Sequence, residues 1–187
     1  MAESSTPGTH YAVLLRGINV GGHRKVPMAA LRDLLTDLGY RDVRTYLHSG
    51  QAVLISDDQE EVVAQQVSSG LEKTFGQRIE VIVRSHHYLA EVVARCPFPA
   101  GPDSGRQLHA AFLADAADPS RLEQIEASAF APEGFELGDR MVYLWLPDGI
   151  GRSRLASAVL RPRILGAQAV VTVRNWSTVT TLLELTS

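Results

Sequence analysis

Apolar residues occur along the chain either in short continuous runs or at every third or fourth position. The runs predict strands and the repeats predict helices, and the two alternate along the chain. The continuous apolar run at 10–18 predicts a buried strand. Pro27 suits the first position of a following helix, because proline has no N–H to leave unbonded there, and Gly39 ends that helix. Between Pro27 and Gly39, leucines recur every three or four residues. The chain is therefore predicted to open with a strand, a polar loop and a helix.

The same two patterns predict the remaining elements. Further strands are predicted at 42–48, 51–55, 79–83, 108–114, 135–137, 141–146 and 169–173. Further helices are predicted at about 57–75, 86–95, 119–129 and 153–160, and from Asn175 onwards. Ser85 and Asn175 are predicted helix caps, because short polar side chains accept backbone N–H groups at a helix start.

The two halves of the chain repeat one order of elements: strand, helix, two hairpin strands, helix, strand, helix. The strings at 81–85 and 171–175 are also similar, since each is a β-branched strand followed by an arginine and a capping residue. This order predicts an α+β protein of two similar ferredoxin-like subdomains, each a βαββαβ motif with one added helix. The repeated order indicates a structural duplication.

The predicted domain boundaries follow local composition. Residues 96–105 hold three prolines and two glycines, which favours a linker, assigned to 97–106. This linker separates a first subdomain at 10–96 from a second at 107–187. Residues 1–9 are small and polar, and we expect a disordered N-terminus that is neither a signal peptide nor a membrane anchor.

Composition and charge narrow the classes of function. The net charge of −3 gives no general attraction to nucleic acid or to an anionic membrane, so anion binding would need a local basic patch. The single cysteine, Cys96, excludes an intrachain disulfide and a cysteine zinc site. The sequence has no histidine motif for a metal and no apolar run of about 20 residues. We therefore expect a soluble cytoplasmic protein with no metal, no cofactor and no membrane span.

The strongest candidate site is the basic, glycine-rich loop between the first strand and the first helix. Its predicted ligand-binding residues are Arg16, Gly17, Asn19, Gly21, Gly22, Arg24 and Lys25. Glycines let several backbone N–H groups converge on one anion, and the start of the following helix adds a positive dipole end. The loop lacks both the Lys-Ser/Thr pair of a P-loop and the dinucleotide-binding pattern. A purely structural turn is therefore the alternative.

A second basic segment lies in the second half of the chain. Four arginines occur between Gly149 and Arg163, and no acidic residue occurs from 149 to 183. The four are Arg152, Arg154, Arg161 and Arg163. Arginine forks suit phosphate and carboxylate groups. The alternative is a solvated helix face whose arginines pair with carboxylates elsewhere.

Two short polar strings are weaker candidates. Ser49 and His48 could be interpreted as a catalytic nucleophile and its base. However, neighbouring residues in a strand point to opposite faces, and a Ser-Gly turn needs no catalytic explanation. Arg174 ends a predicted strand and Asn175 begins a helix, a position that favours an anion. Arg174 and Asn175 therefore join the predicted ligand-binding residues, whereas the catalytic residues stay unassigned.

Several strings together resemble one bacterial family. They are Arg16-Gly-Ile-Asn-Val-Gly-Gly22, Pro27-Met28 with Leu31, Thr45-Tyr46-x-x-Ser49-Gly50, Cys96-Pro97-Phe98 and Arg174-Asn175-Trp176-x-Thr178-Val179. From about residue 10 to residue 186, the chain resembles the family called domain of unknown function 1697. The resemblance implies a bacterial α+β protein of two similar subdomains with no assigned activity. His48 and Gln51 depart from the family's usual residues around the Ser-Gly turn, which places that turn behind the two arginine-bearing segments.

The leading hypothesis is a protein that binds an anionic ligand, a nucleotide or a nucleic-acid phosphate, in a cleft between its halves. The residues of the first loop would line one side, and Arg174 and Asn175 the other. One alternative is a small enzyme that acts on a phosphorylated metabolite, with His23 or His48 as general base. The other is a protein-interaction module without catalytic activity, whose motifs are folding signatures.

Overall fold

A computed structural model describes residues 8–19, 24–47 and 50–187 of the chain, which form two four-stranded antiparallel sheets with helices. The strands are β1 (Thr9–Leu15), β2 (Arg41–Tyr46), β3 (Gln51–Ser56), β4 (Val81–Ser85), β5 (Leu108–Leu113), β6 (Gly134–Gly138), β7 (Met141–Trp145) and β8 (Val171–Asn175). The helices are α1 (Met28–Asp37), α2 (Glu60–Phe75), α3 (His86–Ala94), α4 (Pro119–Leu122), α5 (Arg154–Val159), α6 (Pro162–Leu165) and α7 (Trp176–Leu185). The predicted α+β class is confirmed.

The chain divides into two compact units. The first takes in the residues up to Leu89 together with Leu182–Ser187, and the second is Ala90–Thr181. The division falls inside α3 and inside α7. Within the predicted linker at 97–106, a short 3-10 helix covers Pro102–Arg106. The predicted domain boundaries stay a prediction.

The core of the first unit lies between one face of its sheet and helices α1 and α2. Strand residues alternate between the two faces of a sheet, so Val13 and Leu15 of β1 point to the same side. Both are fully buried against Leu35 of α1 and Val67 of α2 in one apolar cluster. The sheet order is β2-β3-β1-β4, which leaves β1 at the centre.

The second unit has a core of the same kind. Its sheet order is β6-β7-β5-β8, with β5 at the centre. Ala111 and Leu113 of β5 are buried with Leu155 of α5 and Ile164 of α6. The helices of this unit are shorter, so more of the cluster comes from loops and from the strands β6 and β8.

The register places an arginine at the same point of each sheet. Arg84 of β4 lies opposite Ala12 of β1, and Arg174 of β8 lies opposite Ala110 of β5. Each arginine is flanked by a valine that belongs to the apolar cluster of its unit, Val83 or Val173. Because side chains alternate, each arginine points to the sheet face away from that cluster.

Three element predictions differ from the structure. The predicted helix at 119–129 is wrong in extent: α4 has only four residues, and a separate 3-10 helix covers Ala127–Phe130. Leu122 is the buried residue of α4, and one apolar contact stabilises little helix. The predicted helix at 153–160 corresponds to α5, and Pro162 begins a further helix that the sequence did not predict, α6, because proline fits a first helical turn. Strands β4 and β8 also begin and end about two residues later than predicted.

Among the described residues, every helix is too short or too polar to cross a lipid bilayer.

Candidate functional site

Asn19 closes the base of the loop that follows β1. Its backbone adopts the left-handed region, with φ of 55°. Its Nδ2 donates to the Val26 carbonyl and its Oδ1 accepts the Val26 N–H, both at 2.9 Å. Its own N–H donates to the Arg24 carbonyl at 3.1 Å. Ile18 and Val26 are both buried, so Asn19 joins two anchored points and has a structural role in the loop.

Gly17 lies near a basic side chain. Its φ is 64°, a conformation that glycine adopts with little strain. The Arg24 Nη1 lies 3.8 Å from the position that a Cβ at residue 17 would occupy. Both Arg24 and the neighbouring Lys25 are exposed. The loop therefore presents two cationic side chains beside the end of β1.

Arg16, the third cation of the loop, forms an ion pair with Glu80. Its Nη1 donates to Glu80 Oε2, and its backbone N–H donates to the Glu80 carbonyl at 3.0 Å. The two side chains are 43% and 38% exposed. Sequence reasoning missed Glu80, which lies 64 residues away and meets Arg16 only through the pairing of β1 with β4. Arg16 is therefore partly neutralised within its own unit.

Several predicted residues lie outside the described part of the chain. They are Gly21, Gly22, His23, His48 and Ser49. The predicted part of these two glycines in anion binding, and of the histidines as general bases, stays a prediction.

Arg174 is buried, with 9% of its surface exposed. Its Nη1 donates to Thr172 Oγ1 at 2.7 Å and to the Val173 carbonyl at 2.8 Å. Burial lowers the pKa of Arg174 to about 10, because a charged guanidinium loses hydration there. The side chain is still a cation at neutral pH. Its predicted role as a ligand-binding residue stays a prediction.

Both predicted helix caps are confirmed. Asn175 Oδ1 accepts the Thr178 N–H at 2.9 Å at the start of α7. Ser85 Oγ accepts the Tyr88 N–H at 3.2 Å at the start of α3. The Asn175 side chain is therefore engaged in starting α7.

Arg84 is the first unit's counterpart of Arg174 and is buried more deeply, with 3% of its side chain exposed. Its Nη1 lies 3.5 Å from Glu60 Oε2, and its guanidinium lies 5.0 Å from the centre of the Tyr88 ring. The Glu60 Oε1 also accepts the Ser85 N–H at 2.9 Å. Sequence reasoning missed this pair, although the similarity of the strings at 81–85 and 171–175 had already marked Arg84.

Metal chemistry has no support in the described residues. Within 8–19, 24–47 and 50–187, no three histidine, cysteine, aspartate or glutamate side chains are grouped as a metal ion would need. In the described part of the first loop, Arg24 and Lys25 are exposed.

The fold defines a mixed α+β protein in which a basic loop follows the first strand, β1. A family model described as Protein of unknown function (DUF1697) matches residues 9–143, which is more than half of the chain, and the chain belongs to this family. The predicted family resemblance is thereby confirmed. The string at Arg174-Asn175-Trp176 lies beyond the matched residues, so its part in that resemblance stays a prediction.

A solved structure is similar over almost the whole chain. It is described as the structure of conserved bacterial protein SP0830 from Streptococcus pneumoniae. The TM-score is 0.72, the sequence identity is 23%, and the similarity covers 96% of this chain and 99% of that chain. At this identity the likeness shows the fold alone. No curated protein matches the chain.

Proposed function

We propose that the chain binds a phosphate-bearing small molecule, a nucleotide, through the loop from Arg16 to Lys25. The observation that carries this proposal is the approach of the Arg24 guanidinium to Gly17, beside Arg16 at the end of β1. Guanidinium groups form paired, charge-assisted hydrogen bonds with phosphate oxygens. Gly17, Asn19 and Arg24 also have left-handed backbones, a conformation found in loops whose N–H groups surround an anion.

The base of the loop supports the proposal because it reduces the entropy lost on binding. Asn19 holds Val26 through two hydrogen bonds, and Ile18 is buried beneath Gly50. Binding groups carried on a loop that is already closed lose less conformational freedom when a ligand arrives.

The experiment is a calorimetric titration with ATP and GTP at low salt. The double variant R24A/K25A should weaken binding at least tenfold, since a hydrogen bond to a charged group contributes roughly 1.5–3 kcal/mol. The matched control is R32A/R78A, which removes the same charge from two other exposed arginines of the first unit. Absence of nucleotide binding, or equal losses in both double variants, would overturn the proposal.

A variant of Glu80 provides a second test, which asks whether Arg16 takes part in nucleotide binding. Its carboxylate competes with an anionic ligand for Arg16, so E80Q should tighten nucleotide binding by up to about fivefold, the range of a partly exposed ion pair. Unchanged binding in E80Q would remove Arg16 from the site.

We also infer that the two units are copies of one ferredoxin-like motif. The two sheets have corresponding strand orders, and the pairings of β1 with β4 and of β5 with β8 have corresponding registers. A crystal structure in which the two units superpose with Arg84 on Arg174 would support the duplication. A superposition that separates these residues would overturn it.

A further inference from the structure

The segment containing α5 and α6 presents arginines on its outer side. The exposed residues are Arg152, Arg154, Arg161 and Arg163. Five apolar residues of α5 and α6 are buried in the core of the second unit, namely Leu155, Ala156, Val159, Ile164 and Leu165. The core therefore anchors the segment, and the charged side chains remain in water.

Among the described residues, these four arginines form no ion pair with an aspartate or glutamate. Across 8–19, 24–47 and 50–187, the ion pairs involve side chains other than these four. The carboxylate that does reach the segment is Glu133, whose Oε2 accepts the Leu155 N–H at 3.0 Å. It stabilises the start of α5. The described residues therefore give no support to the alternative, in which these arginines pair with carboxylates elsewhere in the chain.

The composition of the segment favours phosphate as its target. All four exposed cations are arginines, whose planar forks match two phosphate oxygens better than a lysine ammonium does. The whole chain has a net charge of −3, yet no acidic residue occurs from 149 to 183. The positive charge is therefore local and belongs to this surface.

The spacing suits an extended polyanion better than a single phosphate. Arg154 begins α5, and Arg161 lies seven positions later, at the extended residue that precedes α6, so the cations are spread along the segment. Arg161 and Arg163 flank Pro162 at the start of α6. The Arg154 guanidinium lies 5.9 Å from the centre of the Phe130 ring, and an arginine plane beside an aromatic ring is a surface on which an unpaired base can stack.

We propose that this α5–α6 surface binds the phosphate backbone of single-stranded RNA, independently of the nucleotide site in the first unit. An anionic membrane fits less well. Membrane-surface segments insert a row of large apolar residues, whereas Ile150 is the exposed large hydrophobe of the second unit's described residues.

The test is fluorescence anisotropy of a labelled single-stranded RNA across a salt series. The wild-type dissociation constant should rise steeply with salt. The double variant R161A/R163A should weaken binding at least tenfold at low salt and reduce the slope of log K against log salt by about 1.4, or about 0.7 for each lost phosphate contact. R161K/R163K should keep the slope, because the charges remain.

Two control variants distinguish RNA binding by the α5–α6 surface from a general effect of charge and from nucleotide binding by the first unit. R32A/R78A removes the same charge from the first unit and should leave RNA binding within about twofold, whereas R24A/K25A should affect ATP and leave RNA unchanged. No RNA binding at about 100 µM protein, equal losses in the two arginine pairs, or binding of phosphatidylserine vesicles without RNA binding would each overturn the proposal. Failure of ATP binding alone would leave it intact.

Discussion

The two sheets place an arginine at the same register position and surround it differently. Arg84 lies 3.5 Å from a carboxylate of Glu60 and beside the Tyr88 ring. Both arginines donate to the carbonyl of the preceding valine, and Arg174 also donates to the Thr172 hydroxyl. The same backbone register therefore does not bring the same electrostatic environment, because the carboxylate beside Arg84 comes from a helix, whereas the hydroxyl beside Arg174 comes from its own strand.

The helices explain this difference. Glu60 is the first residue of α2, which begins with two acidic residues. The corresponding position in the second unit is Arg154, the first residue of α5, whose first turn contains no acidic residue. In the first unit the helix start neutralises the buried arginine, and in the second it adds exposed positive charge. The two helix starts therefore carry opposite charges on similar sheets.

Removing the Glu60 charge should have the largest effect on stability. Breaking a buried ion pair leaves an uncompensated charge, so E60Q should lower the free energy of unfolding by about 3 kcal/mol. Urea denaturation measures this loss. E61Q, at the exposed neighbouring position, is the matched control and should change stability by less than about 0.5 kcal/mol. Equal effects of the two variants would contradict the role given to Glu60.

A second comparison is between Gly50 and Arg140, the residues that precede the second strand of each hairpin. The Gly50 carbonyl accepts the Leu15 N–H, and the Arg140 carbonyl accepts the Leu113 N–H, each at 2.9 Å. Gly50 has φ of 86°, and an added Cβ would stand 2.5 Å from Ile18 Cδ1. G50A should therefore cost about 2–3 kcal/mol through backbone strain and overpacking. In contrast R140G, where φ is already 47°, should be neutral or stabilising in thermal unfolding.

The Thr172 hydroxyl should contribute a smaller amount. T172V keeps the shape of the side chain but removes the oxygen 2.7 Å from Arg174 Nη1, which should cost roughly 1.5–2 kcal/mol. Combining T172V with R174M should recover part of the loss, since no buried charge then remains. T180V, which removes a hydroxyl bonded only within α7, is the control. Additive losses in the double variant would show that the two residues are not coupled.

His109 and Tyr11 occupy corresponding positions and give the smallest expected effect. Tyr11 lies opposite Ser85, and His109 lies opposite Asn175. Burial lowers the pKa of His109, so the unfolded chain takes up this proton first as pH falls below about 6.5. His109 should therefore not affect stability above that pH, and stability should fall as the pH is lowered towards 5.

The H109Q variant tests this pH dependence. It should be less stable at neutral pH but should lose less stability on acidification than the wild type, as measured by urea midpoints at several pH values. Parallel losses in the two proteins would assign the acid sensitivity to other groups.

Much of the fold followed from local chemistry. The leucine repeat after Pro27 predicted α1, Gly76 ended α2 in the left-handed conformation, and Ser85 and Asn175 capped their helices as expected. These features depend on residues within one turn of each other. The failure at 119–129 has the opposite origin, since the length of a helix depends on how much of it the core can bury.

The candidate site was less predictable, because its partners are distant in sequence. The string from Arg16 to Gly22 suggested a ligand loop, yet Asn19 serves the loop itself and Arg16 is shared with Glu80. The sequence places Arg174 at the end of a predicted strand, and the structure buries it beside Thr172.

The sequence by itself determined the order of elements, the similarity of the two halves, the family and the positions of the basic segments, because periodicity, caps and motifs are local. The tertiary structure alone decided which cations are neutralised and which stay exposed. Strand pairing brings Glu80 to Arg16, the start of α2 brings Glu60 to Arg84, and Arg154 faces water with its neighbours on α5 and α6. Charge acts through space, so its effect depends on residues that only the fold brings together.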